Sequence, residues 1–370
     1  MQVGQLLIIG FDGTEMSARL SSLLTKIQPA GVILFARNIT SPAQTHTLLR
    51  ECQKHVATPL FTCIDLEGGT VDRLRNVVGP APSPAEVFAT GNRALFRKHG
   101  RVIGENCRAL GFNVDFAPVL DLAYEASRSV MSSRTVSDDP KQVVIYAREF
   151  LRGLREAGVL GCGKHFPGLG EATLDTHHEL PSVGKPMRKL WEQDLVPYRT
   201  LSRHRELPMV MISHAAFPAV TKDRTPASLS KKWITDILRK KIGFRGLICS
   251  DDLEMGGVLA AAPIEQGIEQ VMIGHISAGG DLGLICHQEH FILRAYEAMV
   301  REVESDGRFA GRVAESARRV LGFKKRMLTQ RRVSPPTGAR VEKLTRQLWQ
   351  FGEEIRFATL ARDENERDLA

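Results

Sequence analysis

One stretch of the chain combines residue types that can transfer protons and bind polar ligands. Lys164 and His165 follow an apolar run, and Asp175 and His177 come after a glycine-containing segment. An imidazole has an ordinary pKa of about 6.5, so it exchanges protons near neutral pH, and a nearby carboxylate can fix its tautomer. Asp175 and His177 are therefore a candidate proton-transfer pair, and a histidine that only anchors its loop is an equally good interpretation.

A tandem of carboxylates, Asp251 and Asp252, follows another apolar run. A carboxylate at the end of a buried strand can attack an electrophilic carbon or stabilise a cationic transition state. An aspartate in this place can also cap the helix that follows. Both roles are open to this pair, because one aspartate can face a ligand while its neighbour caps a helix.

Other polar residues are candidates for ligand binding. Lys164 and His165 are expected to face a polar ligand such as a sugar hydroxyl, because an unpaired charge at a buried strand end is costly. Arg73 and Arg134 are weaker candidates, since most arginines in loops are solvated. His214 follows a predicted strand, and it can equally be a histidine whose hydrogen bonds are satisfied within the protein.

The pattern of apolar residues predicts how these groups are positioned. Eight short apolar runs alternate with amphipathic segments such as 42–55, 84–109, 142–157, 187–201 and 230–242, which is typical of βαβ units. Eight units fit a (β/α)8 TIM barrel, whose active site forms at the carboxyl ends of its strands. A doubly wound sheet would place its ligand groups at one switch point, whereas here they follow most strands. The predicted strands are Leu6–Phe11, Gly31–Phe35, Leu60–Ile64, Val114–Val119, Leu160–Lys164, Met209–Ser213, Leu247–Ser250 and Leu282–Cys286.

The strand pattern stops near residue 305. We expect a catalytic barrel over residues 1–305 and a C-terminal helical extension over residues 306–370, with helices at Ala310–Gln330 and Val341–Ala361. The Pro-Pro-Thr-Gly segment between these helices is a strong breaker. The extension is expected to pack on the barrel or on a second subunit of a homodimer, and a monomer is the other expectation.

Composition limits the kind of partner. The formal charge is +8, which leaves room for an anionic ligand, but basic and acidic residues alternate and no basic block with interleaved aromatics occurs, so no nucleic-acid partner is expected. The six cysteines form no Cys-x-x-Cys pair and are predicted to be free thiols in a reducing compartment. Neither a signal peptide nor a bilayer-spanning segment is predicted, so the expected location is the cytoplasm, away from membranes.

Several motifs in a fixed order resemble glycoside hydrolase family 3, and in particular its single-domain β-N-acetylhexosaminidases that act in peptidoglycan recycling. The resemblance covers roughly residues 5–300. Each motif alone is weak evidence, but together they are highly specific. The motifs are Asp65-Leu66-Glu67-Gly68-Gly69, the run from Asn113 to Asp121, Lys164-His165-Phe166-Pro167-Gly168, Asp175-Thr176-His177 and Ser250-Asp251-Asp252-Leu253.

The resemblance implies a retaining hydrolase that removes terminal β-linked N-acetylglucosamine, with peptidoglycan fragments as the expected carbohydrate substrate. It implies that Asp251 is the nucleophile of a covalent glycosyl-enzyme and that His177, supported by Asp175, is the acid/base. No cofactor and no metal ion are implied. The sugar subsite is implied to contain Asp65, Arg73, Arg134, Lys164, His165 and His214.

The sequence departs from the family pattern at three positions. Leu169 stands where the family has the second histidine of Lys-His-Phe-Pro-Gly-His-Gly, and Leu66 and Thr70 replace residues of Asp-Gln-Glu-Gly-Gly-Arg-Val. Because none of these changes touches Asp251 or the Asp175–His177 unit, hydrolysis is expected to survive.

Other functions remain open at this stage. Another family 3 β-glycosidase is one of them, and so is a glycoside phosphorylase, because a neutral imidazole repels phosphate less than a glutamate does. A metal-dependent barrel hydrolase is a third, since histidine and aspartate are common metal ligands, although no His-x-His pair follows the first strand. A non-catalytic sugar-binding barrel is a fourth, and the retention of Asp251 with Asp175 and His177 argues against it.

Overall fold

The computed structural model of the chain describes residues 2–171, 180–259, 267–328 and 333–368. Eight parallel strands close into a barrel in the order β1, β2, β3, β6, β7, β8, β9, β10, and β4 and β5 form a separate antiparallel hairpin. The strands are β1 (Leu7–Ile9), β2 (Gly31–Ile33), β3 (Phe61–Ile64), β4 (Leu66–Gly68), β5 (Val71–Asp72), β6 (Val114–Asp115), β7 (Leu160–Phe166), β8 (Met209–Ile212), β9 (Leu247–Asp252) and β10 (Leu282–Ile285).

Helices surround the barrel, as in a (β/α)8 fold, and the predicted fold class is confirmed. They are α1 (Ala18–Ile27), α2 (Pro42–Lys54), α3 (Pro84–Ala89), α4 (Arg93–Ala109), α5 (Arg128–Met131), α6 (Pro140–Glu156), α7 (Met187–Glu192), α8 (Val196–Arg203), α9 (Pro218–Thr221), α10 (Gly256–Leu259), α11 (Gly267–Ala278), α12 (Glu289–Ser305), α13 (Gly307–Met327) and α14 (Gly338–Asp368), with a π-helix at Lys232–Lys241 between β8 and β9.

All eight predicted barrel strands occur, with small differences at their ends. The largest difference is in β6, which ends at Asp115 rather than at Val119. Pro118 has no N–H to donate to a neighbouring strand, so the ladder is interrupted there. Val119 still forms an isolated bridge with Lys164 of β7, which keeps the two strand ends side by side.

Two helices that were predicted as continuous are each divided. The segment 84–109 forms α3 and α4, because Gly91 adopts a φ of +65° and the Asn92 side chain accepts the backbone N–H of Ala94 as a new N-cap. The segment 187–201 forms α7 and α8, and Pro197 in the first turn of α8 lacks the N–H that a continuous helix would use.

The barrel interior is apolar at its amino end and is covered there by α13. Val320 and Phe323 of that helix join the cluster formed by Phe61, Cys63 and other buried strand residues. All six cysteines are free and buried, as predicted.

In α14, four buried side chains, Leu344, Leu348, Phe351 and Ile355, belong to the main core. The division of the chain at residue 306 stays a prediction.

No helix within the described ranges is both long enough and apolar enough to cross a bilayer.

Candidate active site

A cavity opens where the barrel strands end at their carboxyl termini. Residues of β2, β7, β8, β9 and β10 line it, together with Asp65 just after β3, the β4–β5 hairpin and α5. Parallel strands bring their carboxyl ends to one edge, so residues that are distant in sequence meet there. The predicted site residues among its lining are Asp65, Arg73, Arg134, Lys164, His165 and Asp251.

Lys164 is the centre of a buried network of charges. Its side chain lies inside the barrel, with Nζ 2.8 Å from Asp65 Oδ1 and 2.6 Å from Glu67 Oε1. Arg134 donates to both carboxylate oxygens of Glu67, each at 2.8 Å. Two carboxylates therefore face two cations, and each buried charge has a partner, which is the condition for burying a charge at acceptable cost.

The pKa shifts in this network follow from the pairing. Burial would raise the pKa of Glu67, but Lys164 and Arg134 outweigh it and hold the pKa well below its ordinary value. Burial would lower the pKa of Lys164, but Asp65 and Glu67 raise it above its ordinary value. Glu67, Lys164 and Arg134 are therefore charged at neutral pH. They offer fixed donors and acceptors to a ligand with hydroxyl groups.

His165 is fixed by Asp121. One carboxylate oxygen of Asp121 lies 2.7 Å from His165 Nδ1 and accepts the His165 backbone N–H at 3.1 Å. The other oxygen accepts the backbone N–H of Leu169 at 2.7 Å. The carboxylate thus orients the imidazole and ties the start of the following loop to the barrel. Leu169 takes part through its backbone, so its departure from the family pattern leaves this contact intact.

Asp251 lies in the cavity as a half-buried carboxylate near the end of β9. Burial would raise the pKa of this carboxyl, but several groups together outweigh burial and lower the pKa below its ordinary value. They are His165, His214, the backbone N–H of Asp252 and Lys164. One oxygen of Asp251 accepts the backbone N–H of Asp252 at 2.8 Å. An ionised carboxylate at this place can act as a nucleophile or stabilise a positive charge.

His214 is fully buried and is not part of the cavity lining. Its Nδ1 lies 2.7 Å from Ser228 Oγ and its Nε2 lies 2.9 Å from the backbone oxygen of Asp252. Burial lowers its pKa. The structure therefore places His214 beneath the tandem of aspartates, where it supports the backbone of β9.

The rim of the cavity carries aromatic and cationic groups. The ring of His287 stacks on Phe35 at a centroid distance of 5.2 Å, and its Nε2 lies 3.3 Å from an oxygen of Asp252, which raises the pKa of the histidine. The guanidinium of Arg73 lies 5.7 Å from the Phe35 ring centre. Its Nε is buried and has no hydrogen-bond partner among the described residues.

Asp175 and His177 lie outside the described residues, and no geometry is assigned to them. The residues on either side of that segment are held by one ion-pair cluster. Lys185 Nζ lies 3.0 Å from Glu171 Oε1, 2.8 Å from Asp194 Oδ2 and 3.1 Å from the hydroxyl of Tyr124. The carboxylates contribute to raising the pKa of Lys185 to about 12 against the effect of burial.

Sequence reasoning assigned no role to Glu67 or Asp121, which hold the charged network and His165. Both stand inside the motifs that suggested the family, and both follow predicted strands. That position was a usable signal, because a buried cation at a strand end requires a buried carboxylate nearby.

The family departures at Leu66 and Thr70 also have defined places. Leu66 is buried in the main core, and the Thr70 hydroxyl lies 3.1 Å from Ser133 Oγ.

Within the described ranges, no group of three or more His, Cys, Asp or Glu side chains is arranged to hold a metal ion.

Comparison with known proteins places this architecture in a family. Residues 1–323 match the family model described as the glycosyl hydrolase family 3 N terminal domain. A protein of Xanthomonas oryzae pv. oryzae named Beta-hexosaminidase is 35% identical over 290 residues, which cover 77% of this chain and 84% of that protein. Another of this name, from Pseudomonas aeruginosa, is 34% identical over 296 residues, which cover 80% of this chain and 86% of that protein.

Solved structures agree with the sequence relatives. A glycoside hydrolase family 3 β-N-acetylglucosaminidase from Paenibacillus sp. str. FPU-7 superimposes with a TM-score of 0.88 at 34% identity, over 95% of this chain and 68% of that chain. A GH3 family member from Mycobacterium smegmatis str. MC2 155 superimposes with a TM-score of 0.78 at 31% identity, over 87% of this chain and 96% of that chain. The chain therefore belongs to glycosyl hydrolase family 3, and the protein is a glycoside hydrolase.

Proposed function

We propose that the protein is a retaining β-N-acetylhexosaminidase that removes terminal β-linked N-acetylglucosamine, with peptidoglycan fragments in the cytoplasm as its substrate. The observation that carries the proposal is Asp251, a carboxylate with a lowered pKa that shares one cavity with the paired network around Lys164. The names of the Xanthomonas, Pseudomonas and Paenibacillus relatives support the choice of an N-acetylated hexose.

In the first step, a carboxylate oxygen of Asp251 attacks the anomeric carbon and forms a covalent glycosyl-enzyme. The bond to the leaving-group oxygen breaks, and His177 donates the proton that this oxygen takes up. In the second step, His177 accepts a proton from water, the water oxygen attacks the anomeric carbon, and the bond to Asp251 breaks. Two displacements at one carbon retain its configuration.

The rest of the site suits the binding of a neutral sugar. The cations Lys164 and Arg134 are matched by the carboxylates of Asp65 and Glu67, so the network offers directional hydrogen bonds without a large net charge. Asp65 accepts from sugar hydroxyls, while Arg73 and His165 donate to sugar oxygens. Hydrogen bonds to charged groups are stronger than neutral ones, which favours this set for orienting a hexose.

The nucleophile is tested by trapping. The full-length protein is incubated with 5-fluoro-N-acetylglucosaminyl fluoride, which slows the second step, and the labelled peptide is sequenced by fragmentation. We expect the sugar to be attached to Asp251. A label on Asp252 or Glu254 would contradict the assignment, and so would a glycosidase that turns over substrate without any label.

The acid/base is tested by leaving-group dependence. The variant His177→Ala is expected to slow a natural disaccharide much more than a dinitrophenyl glycoside, because a good leaving group needs little protonation. His178→Ala is the matched control, and we expect it to slow both substrates equally or not at all. Equal slowing of both substrates by His177→Ala would remove His177 from the acid role.

A further inference from the structure

A second cavity lies at the end of the barrel opposite the candidate active site. It is lined by Gly161, the second residue of β7, by Pro208 and Gly246, just before β8 and β9, and by the last turn of α13. Its volume is about 630 Å³, and ligand cavities commonly measure about 300 to 1,000 Å³. Barrel enzymes carry out their chemistry at the other end, so the glycosidase reaction assigns this cavity no role.

The charges that line this cavity are unbalanced. Arg155, Arg205, Arg245 and Arg326 are exposed, and none of their guanidinium groups has an ion-pair or hydrogen-bond partner within the described part of the chain. Glu206 is the one carboxylate among the described lining residues. Because Glu206 is already bound by Arg148 at 2.8 Å, the four exposed guanidinium groups lack a counter-charge from the described residues. Such a cluster attracts anions.

The floor of the cavity is apolar. Leu160, Leu207, Phe244 and Phe323 are buried side chains that line it. The hydroxyl of Ser202, also in the lining, is buried and has no hydrogen-bond partner among the described residues. A ligand that fills the cavity would therefore meet apolar surface below and unpaired guanidinium groups at the rim.

We propose that this cavity binds a soluble organic phosphate, with its apolar body on the floor and its phosphate group between Arg205 and Arg245. A guanidinium group matches the geometry of phosphate with two parallel hydrogen bonds. A phosphate monoester has about two negative charges and three terminal oxygens, so it can engage more than one arginine at once. The apolar floor selects against inorganic phosphate, because that ion would leave the floor uncovered.

The proposal is tested by calorimetric titration of the full chain with octyl phosphate, with N-acetylglucosamine present to occupy the candidate active site. Inorganic phosphate, which lacks the octyl chain, and 1-octanol, which lacks the phosphate group, are the control ligands. Each is expected to bind at least about tenfold more weakly than octyl phosphate. The double variant Arg205→Ala/Arg245→Ala is expected to weaken octyl phosphate binding by about tenfold or more, since each charge-assisted hydrogen bond contributes strongly.

The double variant Arg188→Ala/Arg301→Ala is the matched control, because it removes the same charge from exposed positions outside the cavity. It is expected to bind octyl phosphate like the wild type. Unchanged hydrolysis of an aryl N-acetylglucosaminide by both double variants reports an intact fold, which separates loss of the site from loss of structure.

Four results would overturn the proposal. They are unaltered binding by the Arg205→Ala/Arg245→Ala variant, equal weakening by the control variant, binding of 1-octanol as tight as that of octyl phosphate, and binding to vesicles that contain phosphatidic acid without binding of octyl phosphate. The last result would assign the arginines to a membrane surface instead. Because the proposal does not rest on the glycosidase mechanism, failure of the Asp251 trapping experiment would leave it standing.

Discussion

The two ends of the barrel each contain a buried lysine, and their surroundings are opposite. At the carboxyl end, Lys164 contacts the carboxylates of Asp65 and Glu67, and these raise its pKa. At the amino end, Lys324 of α13 contacts Gln5 Oε1 at 2.9 Å and lies 5.1 Å from the centre of the Phe61 ring. Burial lowers the pKa of Lys324 to about 7.

The same contrast holds for the arginines. Arg134 at the carboxyl end donates to both carboxylate oxygens of Glu67, whereas the guanidinium groups of Arg205 and Arg245 at the amino end have no partner among the described residues. A site for a neutral sugar benefits from balanced charges, because hydrogen bonds can then orient the ligand without attracting ions. An excess of one charge suits a ligand of opposite charge. The two ends of one fold are therefore built for different ligands.

The largest effect is expected from removing the nucleophile. Asp251→Asn keeps the shape of the side chain but cannot form the glycosyl-enzyme, so kcat for an aryl N-acetylglucosaminide is expected to fall on the order of 10⁴-fold. Binding of N-acetylglucosamine, measured by calorimetry, is expected to persist because the Lys164 network is unchanged. Asp236→Asn, a change on the π-helix, is the control and should retain full activity.

The balance at the carboxyl end is broken directly by Glu67→Gln. This change removes one of the two carboxylates that pair with the buried cations Lys164 and Arg134. Removing one partner of a buried ion pair lowers the free energy of unfolding by about 3–5 kcal/mol. Urea titration measures this loss. Glu192→Gln, on the exposed side of α7, should leave the urea midpoint unchanged. A midpoint for Glu67→Gln equal to that of the wild type would show that the network does not stabilise the fold.

Lys324, the buried lysine without a carboxylate partner among the described residues, predicts a pH dependence of stability. The pKa of Lys324 is about 7 in the folded protein and about 10.4 in an unfolded chain. Between pH 7 and pH 10.4, Lys324 is protonated in the unfolded state but mostly neutral in the folded state. The free energy of unfolding of the wild type should therefore rise with pH across this window, by at most about 1.4 kcal/mol per pH unit.

Lys324→Met removes that dependence and should be more stable than the wild type at pH 7, with the difference shrinking towards pH 10. Urea titrations at several pH values measure it, and Lys325→Met, an exposed neighbour on the same helix, should follow the wild type. A difference that grows with pH would refute the lowered pKa.

The smallest effect is expected at Leu169. Restoring the family residue with Leu169→His should change kcat/KM by less than about fivefold, or under about 1 kcal/mol of transition-state free energy, because Leu169 contacts Asp121 through its backbone N–H. Asp121→Asn is the contrasting variant, since it weakens the hold on both His165 and the loop, and it should reduce kcat/KM further. A larger loss in Leu169→His would mean that its side chain shapes the sugar subsite.

Much of the fold was predictable because its signals are local. Each barrel strand is a short apolar run followed by a polar residue, and this pattern indicates a strand without knowledge of its neighbours. The errors arose where one backbone position overrides the pattern. Gly91 divides the helix predicted over 84–109, and Pro118 interrupts β6.

The candidate site was predictable only in part. The sequence shows Lys164, His165 and Asp251 at strand ends, but it does not show that Glu67 binds two cations at once or that His214 lies beneath β9. These facts depend on which strand ends become neighbours when the barrel closes. The placement of Asp175 and His177 stays a prediction.

The sequence by itself determined the order of strands and helices, the family and the chemical groups available to the protein, since these depend on residue type and on spacing along the chain. Only the tertiary structure decided how charges are paired. Arg155, Arg205, Arg245 and Arg326 belong to four separate segments, and their meeting around one cavity follows from barrel closure and from the packing of α13. Electrostatic energy depends on distance in space rather than along the chain, so a net charge of +8 could not reveal which end of the barrel carries the excess.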